Sequence, residues 1–254
     1  MGRLNGRTAI VTGAAEGIGV HYAKALAAEG ANVCLADVRP SDAVVKEINA
    51  SSISGGKAIG VQCDVSKAAQ VASMVAAAEK TFGEVHILVN NAAVFARLTQ
   101  TPMDRLSSDE FDLALAVNVR GVFECVKAVL PIMRRQKYGK IINVCSGTVF
   151  RGTTGMLHYV ASKGAVLAMT RSMANELGGD GIRCNCIAPG LVMTDAIAAR
   201  EGVDHIKQMS INTRALKRAQ TPDDLVGSLI YLASADSDFV TGQALVVDGG
   251  AVMH

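Results

Sequence analysis

The sequence predicts a single α/β domain built on a doubly wound parallel sheet of about seven strands, with helices on both faces. Two observations carry that prediction. Short aliphatic runs alternate with longer segments whose apolar residues recur at helical spacing, and this strand–helix–strand order implies right-handed crossovers. Half of the 254 residues are apolar, yet aromatics make up only 4% and tryptophan is absent. Val, Ala, Ile and Leu must therefore fill the core, as they do in parallel sheets buried on both faces.

Taken in order, residues 8–12 and 32–37 are aliphatic strand runs flanking a helical pattern over 19–29. Runs at 58–64 and 86–90 flank a second helical segment, 68–82. A long helical pattern over 107–134 leads to a strand at 140–145, and another over 159–177 leads to a strand at 183–187. A last helix over 222–233 precedes the strand at 244–248. The stretch 191–220 mixes Met193, Ile197, Ile206, Met209 and Ile211 with charges and has no strand pattern. A substrate lid is expected there, since long irregular segments near a ligand cleft often close over it. No linker or internal boundary interrupts residues 1–254, which read as one domain.

The charge balance is nearly even, with 25 basic and 23 acidic side chains and a net +2. No basic stripe stands out, so no nucleic-acid partner is expected. No apolar stretch approaches the ~18 residues of a membrane span. The amino terminus turns into a strand-like run within seven residues, leaving no room for a signal peptide. A soluble cytoplasmic protein with no membrane partner is the expectation. Six cysteines, at 34, 63, 125, 145, 184 and 186, form no CxxC pair and mostly sit in aliphatic runs. They read as reduced packing residues, and with the five histidines scattered no metal is expected.

Residues 8–37 read as strand, glycine turn, helix and a second strand ending in an acid, a dinucleotide-binding (Rossmann) pattern. Gly13, Gly17 and Gly19 are spaced GxxxGxG. Glycine permits the tight turn and lets backbone approach a pyrophosphate, while the helix aims its amino-terminal dipole at the anion. Asp37 lies 18 residues beyond Gly19, near the offset of about 20 at which a carboxylate binds the adenosine ribose hydroxyls. Its charge repels a 2′-phosphate, and Glu16 adds a second negative charge inside the turn. Arg39 is the one nearby cation and reads as solvent-facing. NAD rather than NADP is the expected cofactor.

In HYVASKG, Tyr159 precedes Lys163 by one helical turn, so both lie on one face. A cation close to a phenol favours the phenolate and lowers its pKa from about 10, which suits a group passing a proton near neutral pH. His158, adjacent on the helix, points in another direction.

With TGAAEGIG, NNAA, VNVRG, S…YVASK and APGLVMT in order, the chain resembles the short-chain dehydrogenase/reductase family over essentially its whole length. The resemblance implies a catalytic quartet of Asn118, Ser146, Tyr159 and Lys163. Tyr159 would be the general acid–base, Ser146 would orient the substrate oxygen, and Asn118 would hold water connecting Lys163 to solvent. It also implies cofactor contacts from Gly13, Glu16, Gly17, Ile18 and Gly19, and from Asp64 and Val65 beside the adenine. Further contacts would come from Asn91 and Ala92 after Asn90, from Tyr159 and Lys163, and from Pro189, Gly190, Val192 and Thr194 near the nicotinamide. Ala93 departs from the family pattern, which usually has glycine there. A homotetramer assembled through the helices around 107–134 and 159–177 is implied as well.

The segment 147–157 joins Ser146 to the catalytic helix and should pass over the substrate. Thr148, Phe150 and Met156 from this segment, with Val94 and Phe95 after the NNAA motif, are the candidate substrate contacts. Arg97 and Arg151 are candidates for gripping an anion. This segment and the closing VDGGAVMH are similar to NAD-dependent bacterial alcohol dehydrogenases of the family, which implies a ring-bearing alcohol. The expected function is hydride transfer between NAD and a secondary alcohol, ketone or aldehyde of a small, apolar, ring-bearing substrate. One alternative is a 3-oxoacyl-carrier-protein reductase using NADPH, against which Asp37 and Glu16 argue. The other is a non-catalytic NAD-binding sensor or scaffold, against which the retention of Tyr159 and Lys163 argues.

Overall fold

A computed structural model describes residues 2–51, 56–95 and 98–253. Seven parallel strands form one sheet: β1 Thr8–Thr12, β2 Asn32–Asp37, β3 Ala58–Gln62, β4 Ile87–Asn90, β5 Gly139–Val144, β6 Ile182–Pro189 and β7 Ala244–Val247. Their order is β3-β2-β1-β4-β5-β6-β7. The winding reverses between β1 and β4, the switch point at which such sheets leave a crevice beyond the carboxyl ends of their strands. The connecting helices are α1 Gly17–Ala28, α2 Asp42–Ala50, α3 Ala68–Phe82, α4 Ser108–Leu115 and α5 Gly121–Gln136. They continue with α6 Thr148–Arg151, α7 Leu157–Leu177, α8 Asp195–Ala198, α9 Val203–Thr213 and α10 Val226–Ala233.

Side chains alternate in direction along a strand, so this one sheet feeds two cores. Val11, Leu35, Ile142 and Ile187 pack on one face with Tyr22 and Leu26 of α1 and Leu229 of α10. Ile10, Cys34, Leu88 and Ile141 pack on the other with Met74 of α3, Val129 of α5 and Val166 of α7. Both faces are aliphatic, which is why the strands lack a polar alternation. All six cysteines are buried and free.

Three local features differ from the sequence-based expectation. The helix predicted over 107–134 is divided by a π-turn at Ala116–Arg120. An added residue shifts the apolar pattern by one position without interrupting the helical run, and such turns are frequent at functional sites. The helix α2 lies outside every predicted element because it is short and buries only Ile48. The stretch 191–220 is not irregular: it carries α8 and α9, and a parallel bridge between Val192 and Gln220 closes its ends together. No described helix is long and apolar enough to cross a membrane.

Candidate active site

All seven strands run the same way, so the residues that follow β1, β2, β4, β5 and β6 gather along one edge of the sheet. At β1 the chain turns through Gly13, with φ of +65°, and Gly17, with φ of +58°. A Cβ on Gly13 would lie 2.8 Å from Ala92 Cα, and one on Gly19 would lie 2.0 Å from the Gly13 carbonyl oxygen. Neither position has room for a side chain. Glu16 makes no capping bond and the first turn of α1 carries no acid, so its orphan N–H groups remain available to an anion. Ile18 packs against the core. Asn91 braces the turn, its amide donating to the carbonyls of Thr12 at 3.0 Å and Gly13 at 2.9 Å, while Ala92 N donates to Thr12 Oγ1 at 3.1 Å.

Asp37 stands at the end of β2 and is nearly buried. Its carboxylate accepts the backbone N–H groups of Ala15 and Arg39, both at 3.0 Å, and so ties the second strand to the glycine turn. Arg39 is solvent-exposed as expected, and its guanidinium pairs with the exposed Glu16. Asp64 accepts from Ser66 N at 2.9 Å in the turn after β3, and Val65 is buried against Gly121. Those two lie at the β3 edge, four strands from β5, and are not part of the cluster around Tyr159.

That cluster forms where β5 meets α7. Ser146 accepts from Thr148 N at 3.2 Å and from Thr148 Oγ1 at 3.0 Å, and its hydroxyl stands beside the Tyr159 phenol and acts to lower that phenol's pKa. Lys163 is 3% exposed. Its Nζ donates to the Val144 carbonyl at 2.7 Å and lies 5.8 Å from the Tyr159 ring centre. Burial pushes the ammonium down to about 8. Burial also pushes the Tyr159 phenol up, opposed by the Ser146 hydroxyl and reinforced by Cys145. The lowered phenol pKa expected from the Tyr–Lys spacing is therefore corrected. Proximity in sequence gave the cation but not the loss of water around the phenolate, which dominates here.

Asn118 reaches this centre through the π-turn and is 1% exposed. Its Oδ1 accepts from Val94 N at 2.8 Å, and its Nδ2 donates to Ser162 Oγ at 3.0 Å. The side chain thus ties the segment that leads out of β4 to α7. Ser162 went unnoticed in the sequence because a serine inside a helical pattern carries no signal of its own. His158 is fully buried, 3.7 Å from Glu110.

Of the candidate substrate residues, Val94, Phe95 and Met156 gather around Tyr159 together with Leu98. The Phe95 and Tyr159 rings lie 4.8 Å apart. Phe150 does not join them and packs instead against Cys145 and Leu167, because the short helix α6 turns it onto the sheet. Arg151 is exposed at the end of α6, and Arg97 lies outside the described residues. The stretch 191–220 reaches the same apolar wall, with Arg200 Nη2 donating to the Leu98 carbonyl at 3.3 Å. Beyond Pro189 and Gly190, Val192 is buried, and the Thr194 methyl lies 3.5 Å from where a Cβ on Gly17 would stand. The strip expected beside the nicotinamide therefore faces the glycine turn.

Residues 13–252 match a family model described as Enoyl-(Acyl carrier protein) reductase. Galactitol 2-dehydrogenase of Agrobacterium fabrum is 37% identical over 98% of this chain and 98% of its own length. A 3-oxoacyl-(acyl-carrier-protein) reductase of Staphylococcus epidermidis is 35% identical over 97% of this chain and 99% of its own. The crystal structure of levodione reductase has a TM-score of 0.88 at 30% identity, covering 97% of both chains.

Proposed function

The chain belongs to the short-chain dehydrogenase/reductase family, and from that premise we propose an NAD-dependent enzyme with Tyr159 as its general acid–base. It is an oxidoreductase acting on alcohol or carbonyl groups of a small molecule with a nicotinamide cofactor. The proposal adds the choice of NAD, the role of Tyr159, and a small, apolar, ring-bearing secondary alcohol, ketone or aldehyde as substrate. The observation that carries it is the convergence of Ser146, Tyr159 and Lys163 beside the apolar wall of Val94, Phe95 and Met156.

The residues present suit a dinucleotide. Gly13, Gly17, Ile18 and Gly19 would hold the pyrophosphate, Asp37 the ribose, and Asp64 and Val65 the adenine side. Asn91, Ala92, Pro189, Gly190, Val192 and Thr194 would line the nicotinamide side. Asp37 supports NAD over NADP by its charge, and Glu16 occupies the one nearby guanidinium that could have met a 2′-phosphate. When bound, the nicotinamide supplies or accepts the hydride.

The chain itself places the proton. Burial keeps Tyr159 protonated, the form that donates to a carbonyl oxygen during reduction; in oxidation the same oxygen receives the hydroxyl proton. Ser146 would hold the substrate oxygen within reach of the phenol. Lys163 places a positive charge where negative charge develops on Tyr159. Asn118 keeps the Val94 wall in register with the catalytic helix. The stretch 191–220 would act as the substrate cover. A homotetramer is supported by Leu113 and Phe123, large apolar side chains exposed on α4 and α5, and sedimentation would test it.

Absorbance of the reduced nicotinamide, followed across aryl, alicyclic, polyol and 3-oxoacyl substrates with NAD and NADP, tests the reading. A turnover with NAD that falls by about 10²–10⁴-fold in Tyr159→Phe is expected. Activity confined to NADP and 3-oxoacyl thioesters would replace it with the carrier-protein reductase reading. Cofactor binding without turnover of any substrate would favour a sensor.

A further inference from the structure

We infer that Arg214 is a positioning residue for the cofactor, acting through residues 191–194; the inference rests on the nicotinamide-dependent reading above. Arg214 follows α9 in a charged segment, where an arginine is ordinarily solvated. Here it is 3% exposed. Its side chain passes between two glycines: a Cβ on Gly249 would lie 3.3 Å from its Cδ, and one on Gly190 would lie 3.3 Å from its Nη2.

The guanidinium joins two separate segments. Nη2 donates to the Leu191 carbonyl at 2.7 Å and Nη1 to the Arg218 carbonyl at 2.9 Å. Nε is buried with no hydrogen-bond partner among the described residues, and Asp248 provides opposing charge nearby. Gln220 completes the arrangement. Its side-chain amide donates to the Val247 carbonyl at 2.6 Å, and its backbone carbonyl accepts Met193 N at 2.8 Å.

Residues 191–194 are thus fastened from one side by Arg214 and from the other by Gln220. Their opposite end, Thr194, faces Gly17 in the nucleotide turn. A fork of fixed donors can serve two carbonyls at once, whereas an ammonium is a single compact point. Removing the guanidinium leaves two carbonyls without their donors and frees the strip that faces the turn. The loss falls on cofactor binding and leaves Ser146 and Tyr159 untouched.

The experiment is titration of NADH fluorescence against the wild-type protein, Arg214→Ala and Arg214→Lys, each with and without millimolar guanidinium chloride. A cavity of about 190 Å³ lined by Arg214, Gln220 and Gly249 gives the guanidinium ion a route to the site. The Kd for NADH is expected to rise about tenfold in Arg214→Ala, with a smaller rise in Arg214→Lys, and guanidinium should restore most of it in Arg214→Ala. An unchanged Kd in the folded alanine variant would overturn the inference. So would a weakened Kd that guanidinium fails to repair, which is the mark of a general structural role. If Arg214→Ala does not fold, Arg214→Lys, whose stem still fits between the glycines, decides by Kd together with its urea midpoint: a raised Kd at wild-type stability supports the inference, and an unchanged Kd, or one raised only with lost stability, overturns it. Failure of the wild-type protein to bind either NADH or NADPH would instead overturn the dehydrogenase reading and this inference with it.

Discussion

Replacing Lys163 with methionine should stabilise the cofactor-free protein at neutral pH while abolishing its turnover. The ammonium sits without solvent, and burial lowers its pKa from 10.5 to about 8. At about 1.36 kcal/mol per pH unit, holding that charge inside costs about 3 kcal/mol. Methionine fills a similar volume without a charge but leaves the Val144 carbonyl without its donor, a loss of about 1–2 kcal/mol. A net gain of about 1–2 kcal/mol remains at pH 7.

The sign of the pH dependence follows from a folded pKa that lies below the unfolded one. Below pH 8 the lysine is charged in both states and the whole cost is present. Between pH 8 and 10.5 the folded protein sheds the proton first, so wild-type stability gains relative to the variant. Near pH 10.5 the cost has gone while the hydrogen bond persists, and the variant should be the less stable by about 1–2 kcal/mol. Urea unfolding of both proteins at pH 7, 9 and 10.5 measures this. The difference between them cancels the Cys34 and Cys63 thiols, pushed by burial up to about 12 and about 11; Cys145, held down in part by Lys163, titrates higher in the variant and adds its own step to the difference. A difference that stays constant across pH would refute the reasoning.

Three other outcomes are expected. Asp37→Ser should weaken NADH about tenfold and narrow its advantage over NADPH, measured by fluorescence titration of both nucleotides. Gly19→Ala should eliminate NADH binding, because its Cβ would collide with the Gly13 carbonyl at 2.0 Å; the same titration tests it. Asn118→Ala should lower stability by about 1–3 kcal/mol in urea unfolding, since buried Val94 N loses its acceptor and Ser162 its donor.

Much of the nucleotide half was legible in the sequence because its constraints are local. Gly13, Gly17 and Gly19 announce a tight turn, with no room for a side chain at Gly13 or Gly19, and Asp37 ends a strand whose aliphatic run is plain. Ser146, Tyr159 and Lys163 were likewise found from spacing and resemblance. What escaped depends on which groups lose water and which segments meet. The π-turn that delivers Asn118 continues the helical pattern without a break. Burial reverses the effect expected at Tyr159, and a pair spacing on one helix carries no information about burial. Phe150 was expected at the substrate because its loop passes there, yet α6 turns it onto the sheet. Arg214 reads as one more loop charge until Gly190 and Gly249, distant in sequence, are seen to flank it.

The bridge between Val192 and Gln220 has a consequence for how the intervening chain can change. Segments with fixed ends lose closure entropy only logarithmically with length, about 0.6 kcal/mol for each doubling. Insertions in the exposed turn between α8 and α9, short of Arg214, therefore change little in the balance of the whole fold. The stretch that touches Leu98 through Arg200 can be lengthened or exchanged nearly independently of the rest. A protein built this way can rewrite one loop beside the Leu98 wall while the sheet and the glycine turn continue unaltered.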